Sequence, residues 1–105
     1  MIRVRLRPAA EADIQEATDW YEERESGLGG KLLDELGDAF TRIRQLPLQF
    51  PVVETDVRRA LLRRFPYAIY FLLRARDEAV VIAVLHQRRS PSVWRKRGRI
   101  EGKAP

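Results

Sequence analysis

The chain has 105 residues, 45% of them hydrophobic, with two tryptophans, one histidine and no cysteine. That length suits one domain with a single two-layer core, and the composition excludes disulfides, a thiolate nucleophile, a cysteine-based zinc site and a histidine-rich metal site. The formal charge of +5 is unevenly spread, because residues 1–57 carry 7 basic and 12 acidic side chains whereas residues 58–105 carry 13 and 3. The C-terminal half therefore carries a field that favours a polyanion or an acidic protein.

Ile2, Val4 and Leu6 alternate with Arg3, Arg5 and Arg7, which is the period of a half-buried strand. Pro8 ends it and opens a helix. Ala10, Ile14, Ala17 and Tyr21 give an apolar stripe over Ala9–Arg24, widened by Trp20. Glu11 and Asp13 sit where the helix dipole favours carboxylates, and Glu16, Asp19, Glu22 and Glu23 read as a solvated face. Three glycines between Ser26 and Lys31 allow a reversal. A helix precedes them and no Gly-Lys-Ser/Thr follows, so they connect helices rather than cradle a phosphate. A second helix over Leu28–Gln45 carries Leu28, Leu32, Leu36, Phe40 and Ile43 on one stripe and completes an antiparallel hairpin. Pro47 and Pro51 then predict a loop through Asp56.

Two strands follow, Arg58–Arg64 and Tyr67–Leu73, turning at Phe65-Pro66; a third runs over Ala79–Leu85 after a polar turn at 74–78. That third strand is apolar at every position, as expected of a strand covered on both faces. It is also the longest apolar run and too short to span a bilayer; with no apolar leader at the N-terminus, a soluble cytoplasmic protein is expected. The predicted fold is α+β, a four-stranded antiparallel sheet in the order β-α-α-β-β-β with the helical hairpin on one face. Only the stretch from Ser90 onward is left for the other face, and it is basic apart from Val93, Trp94 and Ile100. Either a protein partner covers that face, or Trp94 and the tail partly close it. The arginines set among these strands point the same way, since a buried arginine needs a partner. The domain is placed at 1–97, with a basic C-terminal tail at 98–105 that is expected to be frayed, or to touch nucleic acid through phosphate contacts and stacking.

Several stretches carry a resemblance: residues 19–23 (Asp-Trp-Tyr-Glu-Glu), Gly27-Leu28-Gly29, residues 57–70 (Val-Arg-Arg-Ala-Leu-Leu-Arg-Arg-Phe-Pro-Tyr-Ala-Ile-Tyr) and residues 85–89 (Leu-His-Gln-Arg-Arg). With the element order, they make the chain similar to the RelE/ParE toxin superfamily of bacterial type II toxin–antitoxin systems, in its ParE-like, plasmid-stabilisation branch, over about residues 2–97. The resemblance implies a small basic toxin neutralised by a cognate antitoxin whose disordered C-terminal segment folds around it. It implies inhibition of DNA gyrase through protein binding, with no cofactor and no metal, and as the alternative a RelE-like ribosome-dependent mRNA endonuclease or a non-toxic binding module that retains the fold. A homodimer or a hetero-oligomer with the antitoxin is compatible with it.

Cleavage of RNA by its 2′-hydroxyl needs a base, a cation for the phosphorane and an acid for the leaving oxygen. On the RelE-type pattern Arg59 and Arg63 match the basic residues of one strand and Arg88 the final arginine. Ala68 falls where an early-strand arginine is expected and Trp94 where a tyrosine is expected, so two groups are absent. This favours a binding protein over an enzyme. Were the chain a ribonuclease, His86, Arg63 and Arg88 would be the catalytic candidates, with Glu54 a weaker one; a histidine titrates near neutrality, though His86 also reads as a hydrogen-bonded residue at a strand end. The target- or antitoxin-binding candidates are Arg59, Arg63, Arg64, Tyr70, His86, Arg88, Arg89 and Trp94.

Overall fold

The computed structural model describes residues 1–75 and 77–103, without the side chains of 100–103. Strand β1 (Arg3–Leu6) leads into helix α1 (Pro8–Arg24) and helix α2 (Leu28–Gln45). A single 3-10 turn at Pro47–Gln49 precedes β2 (Val52–Glu54), β3 (Val57–Leu61), β4 (Tyr67–Arg74), β5 (Glu78–His86) and helix α3 (Pro91–Lys103). The sheet has five strands in the order β1-β5-β4-β3-β2. The α+β class and the helical hairpin stand as expected, while the four-stranded antiparallel sheet needs two corrections. β1 lies parallel to β5, with Leu6 opposite Val81. β2 adds a short antiparallel edge to β3, with Val52 opposite Arg58.

Strict alternation divides β4 between two cores. Ile69 and Phe71 pack under the helical hairpin with Leu32, Leu36, Ile43 and Val84. Ala68, Tyr70 and Leu72 face the other way with Val57, Val80, Ile82, Leu85 and Trp94. In β5 the pairing steps from Tyr70–Ala83 to Phe71–Val81. Ile82 is therefore an extra residue, a bulge that puts Ile82 and Ala83 on the same face.

Of the two alternatives for the second face, a protein partner or closure by Trp94 and the stretch after it, the fold shows the second. Helix α3 lies across it, and Trp94 is only 6% exposed, stacked on Tyr70 with centroids 5.0 Å apart and planes 13° from parallel. Gly98 permits the close approach, since a Cβ there would sit 2.9 Å from Val57 Cγ2. Of the expected tail at 98–105, residues 98–103 continue helix α3 while 104 and 105 lie outside the described residues, and Trp94 offers no free ring for stacking on a base. Asp13 locks the arrangement from α1. Its carboxylate accepts Nη1 of Arg97 at 2.6 Å and the Val84 N–H at 3.0 Å, while the same Nη1 donates to the Ile82 carbonyl at 3.0 Å. β1 ends at Leu6 opposite Val81, so Asp13 and Arg97 cap the β5 edge where no strand continues.

Candidate functional site

The candidate residues fall on three surfaces. On the α3 face Arg59 stands opposite Tyr70, and Leu61, two residues along the same side of β3, stands opposite Ala68. Tyr70 and Trp94 are buried against each other there. Leu61 is apolar yet 48% exposed. Beside α3, Arg95 pairs with Glu54 at 2.6 Å. Both line a groove of about 570 Å³ between α3 and the β2–β3 turn, floored by Val57 and Leu72.

The second surface is the β3–β4 turn. The expected strand Arg58–Arg64 stops at Leu61, because the Glu35 carboxylate takes the N–H groups of Arg63 and Arg64 and holds the backbone in a turn. Both arginines face α2 across a groove of about 360 Å³, opposite Lys31, Asp34, Asp38 and Arg42. Charges of both signs line this groove, so it favours no simple anion.

The third surface is the end of β5 under α1. His86 meets the ring of Tyr67 edge-on at 5.5 Å. Its Nδ1 accepts the Arg88 N–H at 3.1 Å, and its carbonyl accepts the Arg89 N–H at 2.9 Å. His86 thus terminates the strand by hydrogen bonding. It borders a small cavity of about 50 Å³ with Asp13, Glu16, Tyr67 and Arg89. Burial pushes the Tyr67 phenol above its usual range, the neighbouring Tyr21 and Glu16 push it further, and Arg89 pulls against them; burial also raises Tyr21.

The two tyrosines make the protein sensitive to alkali. An unfolded tyrosine ionises near pH 10, and both phenols hold their protons to higher pH in the folded state. Between those values the folded state binds more protons, so stability falls as pH rises. Their contribution is fully present below about pH 10 and is lost above it. Urea unfolding at a series of pH values from neutral to strongly alkaline is expected to show this fall. The Tyr67→Phe variant is expected to show a shallower one; an unchanged slope would remove Tyr67 as its source.

His86 and Arg63 therefore open onto different cavities, Arg88 is exposed in the turn after β5, and Glu54 is taken up by Arg95. Arg59, Tyr70 and Trp94 share one face, Arg63 and Arg64 another surface, and His86 and Arg89 a third. Among the described residues no three His, Asp or Glu side chains are grouped to hold a metal ion, and no helix is long and apolar enough to cross a membrane. Sequence reasoning missed Asp13, Glu35 and Arg97. Asp13 did carry a signal, since it lies between Ala10 and Ala17 on the apolar side of α1, where a carboxylate must be paired. Glu35 and Arg97 carried none, because their partners lie 28 and 84 positions away.

The fold has relatives. One solved structure, described as the chromosomal ParDE TA system from P. aeruginosa, matches with a TM-score of 0.72 and 19% identity, covering 82% of this chain and 96% of that one. At that identity the likeness speaks for the fold. No curated protein matches the sequence. The family model for the ParE toxin of the type II toxin–antitoxin system parDE matches residues 4–91, from β1 to the first residue of α3. A match over so much of the chain settles its membership: this protein belongs to the ParE toxin family of type II toxin–antitoxin systems.

Proposed function

We propose that this chain is a toxin that blocks DNA replication by binding DNA gyrase and is held silent by a cognate antitoxin in the cytoplasm. The observation that carries the protein-binding mode is the dispersal of the ribonuclease candidates. A base, a phosphate-stabilising cation and an acid must converge within hydrogen-bonding reach of one scissile bond. Arg63, Glu54 and His86 line three different cavities, Arg88 follows His86 in an exposed turn, and the His86 Nδ1 is engaged in ending a strand. Trp94 stands where the RelE-type pattern has a tyrosine, and it is buried. The gyrase assignment rests on the ParE-like motifs rather than on a site in this chain. The uneven charge supports an acidic partner: the basic half lies in the strands and α3, which also hold Arg59 and the exposed Leu61.

Induction of the chain alone in bacteria tests the reading. Growth arrest with DNA breaks and altered plasmid supercoiling is expected, with intact transcripts. The His86→Ala variant is expected to remain as toxic as the parent. Transcript cleavage lost in His86→Ala or Arg88→Ala would establish the ribonuclease reading instead, and the absence of any growth defect would leave a binding module without an active target. Co-expression with a ParD-type antitoxin encoded beside it is expected to restore growth.

A further inference from the structure

The groove between α3 and the β2–β3 turn carries a charge pattern that is only half closed. One wall is the turn, with Glu54, Thr55 and Asp56; the other is α3, with Arg95, Gly98 and Arg99; Val57 and Leu72 form the floor. Glu54 and Arg95 join the walls at 2.6 Å. Arg99 lies one helical turn beyond Arg95, on the same side of α3, with Asp56 on the wall across from it. Neither of these two side chains has a hydrogen bond or an ion pair among the described residues. Thr55, between the two carboxylates, has a φ of 50°, the left-handed region that a β-branched residue rarely adopts. Backbone held in such a conformation costs free energy, and it recurs where ligands are clamped. The volume of about 570 Å³ falls in the range of small-molecule sites, ~300–1,000 Å³.

We infer that this groove binds a free aliphatic α-amino acid, with its ammonium group on Asp56, its carboxylate on Arg99 and its side chain on Val57 and Leu72. The planar fork of arginine suits a carboxylate in two-point contact. A zwitterion meets both walls with the right sign, beside the pair that is already closed. A simple anion would face Glu54 and Asp56 as well as the arginines, and a fatty carboxylate would leave Asp56 unmatched. A peptide terminus carries only one of the two charges beside its side chain. Asp56 and Arg99 are exposed in the free protein, so water satisfies them and the gain on binding is modest. A ligand of about nine non-hydrogen atoms is then expected to bind with a Kd of about 1 mM.

L-Leucine is the probe, titrated into methyl-labelled protein and followed by NMR. The methyl resonances of Val57 and Leu72 are expected to shift and to saturate with a Kd of about 1 mM. Its relatives separate the contacts: 4-methylpentanoate lacks the ammonium group, 3-methylbutylamine the carboxylate and glycine the aliphatic side chain. Each is expected to bind at least about tenfold more weakly than leucine. Arg99→Gln and Asp56→Asn change exposed side chains. Both are expected to melt with the parent and to lose about tenfold in affinity for leucine. Lys96→Gln, which removes an exposed cation of α3 outside the groove, is expected to bind leucine as the parent does. Methyls that stay in place at about twentyfold the expected Kd would overturn the site. So would 4-methylpentanoate binding as tightly as leucine, since that leaves a plain carboxylate contact, or unchanged affinity in both Arg99→Gln and Asp56→Asn. The ligand series needs only the parent protein, so it decides the matter even where a variant melts lower.

Discussion

Trp94→Ala is expected to cost about 3–5 kcal/mol of folding stability, the range for deleting a large buried aromatic side chain. A domain of this size has about 5–15 kcal/mol in all, so the variant should be folded only marginally. The reason lies in the division of labour on the α3 face. Val93 and Trp94 are the apolar side chains that α3 brings to the described core there, and Trp94 brings most of the area. Without the indole, Tyr70 loses its stacked partner, and α3 keeps Val93, the Arg95–Glu54 and Arg97–Asp13 pairs and the Gly98–Val57 approach. Urea unfolding gives the loss directly, and hydrogen exchange should show opening of the β4 and β5 amides nearest α3. A loss below about 1 kcal/mol, the size of an ordinary surface change, would mean that α3 does not cover the sheet in solution.

Asp13→Ala should be nearly as severe. Removing this carboxylate strands the Arg97 cation and the Val84 N–H together. Breaking one side of a buried pair costs about 3–5 kcal/mol. Arg97 keeps about a quarter of its side-chain exposure, so water recovers part of that, and about 2–4 kcal/mol is the expected loss. Arg97→Ala removes the other half of the same contact. The double variant should therefore be less destabilised than the sum of the two, with a coupling of about 1–3 kcal/mol. Strict additivity would show that the two side chains stabilise the fold independently. Asp13→Asn is informative beside it: the amide oxygen still accepts the Val84 N–H, so the variant isolates the charge.

These two residues also mark where sequence reasoning ran out. The helical hairpin was legible because its stripes repeat at helical spacing, and α2 spans the expected residues, Leu28–Gln45. The two-faced character of β4 was legible because apolar residues fill both registers of Tyr67–Leu73. β2 was hidden by Pro47 and Pro51, which mask a strand of three residues. The parallel pairing of β1 with β5 depends on where α1 and α2 deliver the chain, and no local pattern records that. Helix α3 was obscured by its charge, for five of its thirteen residues are basic. The pair Ser90-Pro91 is a helix-start signal, and Val93, Trp94 and Arg97 follow at helical spacing. The candidate site was legible only as a set of residue types. Arg59 stood out as an arginine inside a strand, yet that its Nε lacks a hydrogen-bond partner among the described residues is a property of the packed sheet. The divergence of His86 from Arg63 comes from alternation: His86 lies on the hairpin side of β5, and Arg63 is drawn toward α2 by Glu35.

The central claim is that this toxin acts by contact with a protein and not by chemistry on RNA. Purified parent and His86→Ala proteins, each assayed on gyrase supercoiling and on message bound to ribosomes, address it in one experiment. Inhibition of supercoiling by both proteins to the same extent, with the message left whole, is the predicted result. Cut message whose rate drops by about 10²–10⁴ in His86→Ala, the usual contribution of a general acid or base, would contradict it.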